Sequence, residues 1–154
     1  MELPDQAEAA RYRALLARRP GHALVVDDDS NLTSLIEMLL DGPGYKVTVS
    51  HNGWDALHVL GLGKGQGFGE PLRPDVVVMD YDLGDRTGGD IIAKMRESDR
   101  TKGIPVVMLT GMVEDVPESV RGQVGALLRK PFDTTAFLEA MVRVLRLDAG
   151  AKGA

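Results

Sequence analysis

The feature that most constrains this chain is a rhythm of short apolar runs. Each run breaks off at a polar or charged residue, and most are followed by a segment of helical spacing. Residues 23–27 read ALVVD, 46–50 KVTVS, 75–80 DVVVMD, 104–110 IPVVMLT and 126–129 ALLR. Runs this short and this rich in valine suit strands buried on both faces rather than helices. Between them, Leu32, Leu35, Ile36, Leu39 and Leu40 recur on one helical face, with Asp29 or Ser30 as the cap and Gly42-Pro43-Gly44 as the stop. A short helix is expected over 54–60. Another is expected over 89–97, with Ile91, Ile92 and Met95 inward. A third opens at Pro117 and runs toward Gly125. The last is capped by Asp133 and carries Phe137, Met141, Val144 and Leu145. A strand–helix unit repeated five times implies an α/β fold, a flavodoxin-like (βα)5 doubly wound parallel sheet of order 2-1-3-4-5. In such sheets the functional crevice lies beyond the strand C-termini, between strands one and three.

Outside this rhythm, residues 1–20 predict an extra N-terminal helix, rich in Ala, Leu and Arg and ended by Pro20-Gly21. Its apolar stripe is thin, so it is expected on the surface or against a partner. The organisation read from the chain is an N-terminal helical extension over 1–21, one domain over 22–147 and a flexible tail over 148–154. A length of 154 residues fits one core. Residues 61–71 hold five glycines and a proline and read as a flexible loop. They are not a phosphate-binding loop, because Lys64 is followed by Gly65 and His58 stands where the first glycine should be.

Several function classes fall away. The chain has no cysteine, which excludes disulfides, thiolate metal sites and Cys nucleophiles. A net charge of −5 suits neither nucleic acid nor an anionic membrane as primary partner. No apolar run approaches the roughly 18 residues of a membrane helix, and the N-terminus lacks a signal-peptide centre. A cytoplasmic location is expected. His22, His51 and His58 show no metal spacing, and Arg11, Arg13, Arg18 and Arg19 read as a solvated helix face.

The strand ends carry the chemistry. Strand one ends in Asp27-Asp28-Asp29, strand three in Asp80 with Asp82 two residues on, strand four in Thr110, and strand five runs into Lys130-Pro131. Carboxylates gathered in a partly dry crevice repel one another, and a hard cation relieves that repulsion. Oxygen donors without His or Cys suit Mg²⁺. A lysine opposite adds a second positive charge. The set is arranged to receive a dianionic phosphoryl group on a carboxylate nucleophile.

The segments VVDDDS, PDVVVMDYDLGDRTGGD, IPVVMLTG and LLRKPFD, in that order at strand ends, resemble the four signature segments of bacterial response-regulator receiver domains. The resemblance covers about residues 22–147. It implies that Asp80 is the phosphoacceptor. It makes Asp28 a direct Mg²⁺ ligand, Asp27 one acting mainly through water, and the Asp82 backbone carbonyl the remaining protein ligand. Thr110 would be the switch hydroxyl, and Lys130, before a cis Pro131, would pair with a phosphoryl oxygen. Gly88 matches the family's glycine after the acceptor. The implied partners are a histidine kinase or histidine phosphotransfer protein, and a downstream protein or second copy. These last would meet the face built from the family's fourth helix, fifth strand and fifth helix. After Leu147 too little chain remains for a DNA-binding domain, so output is expected through protein contact, a shuttle or sink role, or a region outside this sequence. The N-terminal helix is expected to contribute to such contact.

Four departures stand out. Leu127 replaces the usual Tyr or Phe, Gly84 replaces a proline and would loosen its loop, the stretch from Thr110 to Lys130 is short, and 61–71 looks inserted. Bland roles stand beside the sharp ones. Asp29 suits a helix cap, the Asp82 side chain suits solvent, Asp27 and Asp28 alone would do as caps, and Asp80 as a turn former. Two rival functions follow. One is a pseudo-receiver binding module, favoured by Leu127. The other is a haloacid-dehalogenase-type phosphatase, favoured by the Asp80-Tyr81-Asp82 pair but lacking a cap domain and a late acidic pair.

Overall fold

The computed structural model describes residues 4–63 and 70–147. Its elements run α1 (Pro4–Ala17), β1 (His22–Val26), α2 (Ser30–Asp41), β2 (Lys46–Ser50), α3 (Gly53–Val59), β3 (Val76–Asp80), α4 (Gly88–Glu97), β4 (Val106–Thr110), a 3-10 turn at Val113–Asp115, α5 (Glu118–Arg121), β5 (Ala126–Arg129) and α6 (Thr134–Val144). The five strands form one parallel sheet of order β2-β1-β3-β4-β5, the order read from the sequence.

Alternation along each strand builds two cores. Ala23, Val25, Val76, Val78, Val107 and Leu109 face α1, α2 and α6. Leu24, Val26, Val77, Met79, Val106 and Met108 face α3 and α4. Every residue of β3 and β4 is buried, which explains their unbroken apolar runs.

Three expectations need correction. First, α1 does not lie loose on the surface. It packs along α6, and Ala9, Leu15 and Leu16 join the first core. Burying a leucine contributes about 1.5–3 kcal/mol, so two suffice to dock a thin stripe. Tyr12 Oη donates to Glu139 Oε2 at 3.1 Å, and Tyr45 Oη donates to Arg19 O at 2.9 Å just beyond the helix. The apolar residues that seemed free for a partner are spent inside the chain. Second, only part of the α2 stripe is covered. Ile36 and Leu40 are buried, Leu32 and Leu39 half so, while Leu35 is 42% exposed. Third, the segment after Pro117 is a single helical turn, in keeping with the short stretch before Lys130.

Residues 64–69, the middle of the glycine-rich loop, and residues 148–154, the expected tail, lie outside the described residues. The loop's flanks are pinned. Arg100 donates to Leu60 O and to Leu72 O, and Leu72 N–H donates to Val59 O at 2.8 Å.

Candidate functional site

The sheet register sets the site. Val26 pairs with Met79, so the next residues, Asp27 and Asp80, emerge side by side at the switch between β1 and β3. Asp27 is 0% exposed and Asp80 is buried, whereas Asp28 is exposed. One carboxylate oxygen from each of Asp27, Asp28 and Asp80 lies within 4.8 Å of the others. Lys130 comes from the end of β5, before a cis bond to Pro131. Its Nζ donates to Asp27 Oδ2 at 2.9 Å and sits 3.3 Å from Asp80 Oδ2. The other Asp27 oxygen accepts the Asp29 N–H at 2.9 Å.

The electrostatics follow from that packing. Burial, then the Asp27 carboxylate, push the Asp80 carboxyl up from the ordinary 3.8 to about 6, against the pull of Lys130. Burial alone would lower the Lys130 ammonium, but the Asp27 and Asp80 carboxylates outweigh it and hold it above its usual range. One ammonium therefore faces three acids. The donors are all carboxylate oxygen, and they converge on one point. That is the donor chemistry of a hard divalent cation such as Mg²⁺, so the residues present fit it.

The remaining candidates fall as follows. The Thr110 hydroxyl is buried at the end of β4 and is tied to its own turn, donating to Met112 O at 3.1 Å and accepting the Met112 N–H at 3.2 Å. The Asp82 side chain is exposed and accepts the Gly84 N–H at 3.1 Å, the bland role foreseen for it. Asp29 caps α2 through the Asn31 and Leu32 N–H groups. Leu127 is half-buried against the second core beside Val120 and Val124. The histidines do ordinary work: His22 Nε2 bonds Thr48 Oγ1, His51 Nδ1 bonds Asp27 O, and His58 Nδ1 bonds Trp54 O.

The loop carrying Asp82, where Gly84 stands, is closed by contacts across its base. Asp82 and Thr87 form an antiparallel bridge, and Leu83 N–H donates to Arg86 O at 3.1 Å. Gly84 holds φ +84°, while Asp85 stays at negative φ. A positive φ is the left-handed backbone that favours glycine, so glycine stands where proline, fixed at negative φ, was expected. Sequence reasoning also passed over Asp85, whose carboxylate reaches α3. Its only signal was an acid in a two-residue turn.

Gly88 opens α4 directly against the site. A Cβ there would stand 2.7 Å from the Asp80 carbonyl oxygen, 3.0 Å from Met108 Cε and 3.2 Å from Met79 Sδ. The nearest obstacle is backbone, so it cannot rotate away. Gly88→Ala is expected to lower stability by about 1–3 kcal/mol, the usual range for overpacking. Urea denaturation measures this, and an unchanged midpoint would show that β3 can yield.

The strand order, with acids and a lysine meeting at the switch point, defines a doubly wound domain of the receiver class. The chain belongs to the response regulator receiver domain family, which matches residues 23–142; it is a receiver domain of the kind found in two-component response regulators. It is 30% identical over 125 residues to the DNA-binding dual master transcriptional regulator RpaA of Synechocystis, covering 80% of this chain and 48% of that protein. It is 33% identical over 102 residues to the two-component response regulator ARR17 of Arabidopsis thaliana, covering 64% of this chain and 65% of that one. The chain thus spans about half the length of the first relative and under two thirds of the second. Among solved structures, the receiver domain of the sensor histidine kinase PA1611 from Pseudomonas aeruginosa, with magnesium coordinated in its active-site cleft, superposes with a TM-score of 0.69. That match has 22% identity and covers 82% of this chain and 98% of that one. Among the described residues no helix is long and apolar enough to cross a membrane.

Proposed function

We propose that this receiver accepts a phosphoryl group on Asp80 from the phosphohistidine of a histidine kinase or phosphotransfer protein. The observation that carries this reading is the convergence of Asp27, Asp28 and Asp80 within 4.8 Å, with the Lys130 ammonium 3.3 Å from Asp80. The Asp80 carboxyl, at about 6, is mostly ionised at neutral pH and is therefore a nucleophile. Its oxygen attacks phosphorus in line. The new P–O bond forms as the P–N bond breaks, and the electron pair leaves on the histidine nitrogen. Lys130 neutralises a developing phosphoryl charge. Asp27, Asp28, Asp80 and the Asp82 backbone carbonyl would hold Mg²⁺, as magnesium is held in the cleft of the Pseudomonas receiver. Bound there, the ion supplies charge neutralisation at the phosphoryl oxygens.

In this reading the Thr110 hydroxyl leaves Met112 for the acyl phosphate and biases the face of α5, β5 and α6 toward a protein partner. The chain assists its own modification rather than turning over a separate substrate. A second reading, a binding module whose output does not depend on phosphorylation, is favoured by Leu127 alone. The test is to incubate the protein and Asp80→Asn with acetyl phosphate and Mg²⁺ and to weigh the intact chains. One added phosphoryl group is expected on the wild type only. Equal labelling of both, or of neither, defeats the assignment of Asp80.

A further inference from the structure

The hairpin between Asp80 and α4 is fastened to a different part of the fold. At its tip, Asp85 Oδ1 accepts the Gly53 N–H at 2.9 Å and Oδ2 accepts the Trp54 N–H at 2.9 Å. These are backbone donors at the start of α3, which has no intrahelical partner for them. The helix already has its own cap, Asn52, whose Oδ1 accepts the Asp55 N–H at 2.7 Å. Asp85 therefore adds a second cap from a loop 32 residues away in sequence. Arg86 reinforces it. Its Nε lies 3.5 Å from Asp85 Oδ2, and its stem lies so close over Gly53 that a Cβ there would collide with Arg86 Cγ. Gly53 thus admits the side chain that flanks the latch. Burial works to raise the Asp85 carboxyl, but the Gly53 and Trp54 N–H groups and the Arg86 guanidinium together hold it below its ordinary range. The cap stays charged through neutral and mildly acid pH.

The same hairpin carries the Asp82 main-chain carbonyl, with the bridge to Thr87 and the Leu83–Arg86 hydrogen bond fixing one end to the other. We propose that Asp85 is a positioning residue for the cation site: by fastening the hairpin tip to α3, it holds in place the segment that carries the Asp82 carbonyl, two residues beyond Asp80. This rests on the reading of the site given above. It assigns to Asp85 the restraint that a proline at position 84 would otherwise supply. The glycine permits the positive φ at position 84, and the acid beside it restores the rigidity.

Magnesium alone is the probe, titrated calorimetrically into the wild type, Asp85→Ala and Asp85→Asn. Hydrogen exchange of the Gly53 and Trp54 amides is followed in parallel without metal. Asp85→Ala is expected to weaken Mg²⁺ binding about tenfold, the lower end for residues that orient metal ligands, and to expose both amides to exchange. Asp85→Asn keeps one acceptor and is expected to recover affinity to within about threefold of wild type. It also keeps the test decisive if the alanine variant folds poorly. Loss of amide protection with unchanged Mg²⁺ affinity would mean that Asp85 serves α3 only, and overturns the proposal. A wild type that binds no Mg²⁺ overturns the reading of the site itself, and this proposal with it.

Discussion

Lys130→Met should destabilise the metal-free protein by about 2–4 kcal/mol at pH 7, and most of that loss should vanish when Mg²⁺ is added. The expectation follows from what the ammonium holds together. Asp27 is wholly buried and its Oδ2 takes the Lys130 Nζ at 2.9 Å, while Asp80 leans on the same amine at 3.3 Å. Removing one partner of a buried pair leaves an uncompensated charge, at about 3–5 kcal/mol. The lysine side chain is 27% exposed, so water offsets part of that figure. For a chain of this size the shift in Tm is roughly 5–10 °C. Lys130 pulls the raised Asp80 carboxyl down, so without the lysine the folded state grips the Asp80 proton still more tightly than the unfolded chain does. The deficit should therefore shrink as pH falls from 7 toward 5. Phosphoryl labelling should fall far more steeply than stability, because a bound cation can replace the ammonium as a counter-charge but not as a second contact to phosphoryl oxygen. Thermal melts in EDTA and in MgCl₂, beside labelling rates with acetyl phosphate, separate the two effects. A variant equally stable with and without Mg²⁺, and as stable as wild type, would remove Lys130 from the cluster.

The parts of this argument that lay open in the sequence share a physical cause. A parallel strand covered on both faces must be a run of apolar residues, so 75–80 and 104–110 announced themselves, and their first polar residues marked the strand ends where side chains meet in the crevice. Four of the site's residues, Asp27, Asp28, Asp80 and Lys130, came from that rule together with the family resemblance. What stayed hidden depends on tertiary contact. The α1 stripe of Ala9, Tyr12 and Leu16 is diluted by alanine and arginine on every side, so nothing local revealed that α6 would cover it. Leu35 reads like its neighbours Ile36 and Leu39 but is left 42% exposed among the described residues. Gly84 looked like a lost proline because a sequence does not show φ. Asp85 drew no attention because its two donors belong to α3, far along the chain. Lys130 was expected to pair with a phosphoryl oxygen, and its closest partner in the fold, the Asp27 carboxylate, lies on a strand far from it in sequence.

The same crowding predicts that the residue essential for chemistry weakens the resting fold. Asp80→Asn is expected to stabilise the protein in EDTA at pH 7 by about 2 kcal/mol, while abolishing labelling. Burial, and then Asp27, raise the Asp80 carboxyl from 3.8 to about 6. Each unit of such a shift corresponds to about 1.4 kcal/mol between the two protonation states, and asparagine mimics the neutral one. The sign follows from linkage. A carboxyl that binds its proton more tightly when folded contributes stability that is complete below the unfolded value and is lost as pH rises through about 6. Wild type should thus lose ground to Asp80→Asn between about pH 4 and 6, and the gap between them should close only toward pH 4 and below. Magnesium should invert this. The ion binds the ionised acids and competes with the proton, so with Mg²⁺ present the wild type gains stability over the same interval and the advantage of the variant disappears. Melting curves for both proteins at pH 4, 5, 6 and 7, with EDTA and with MgCl₂, give the full comparison. If Asp80→Asn melts below wild type in EDTA at pH 7, Asp80 is not a strained acid, and the site does not store the repulsion that a cation and a phosphoryl group would relieve.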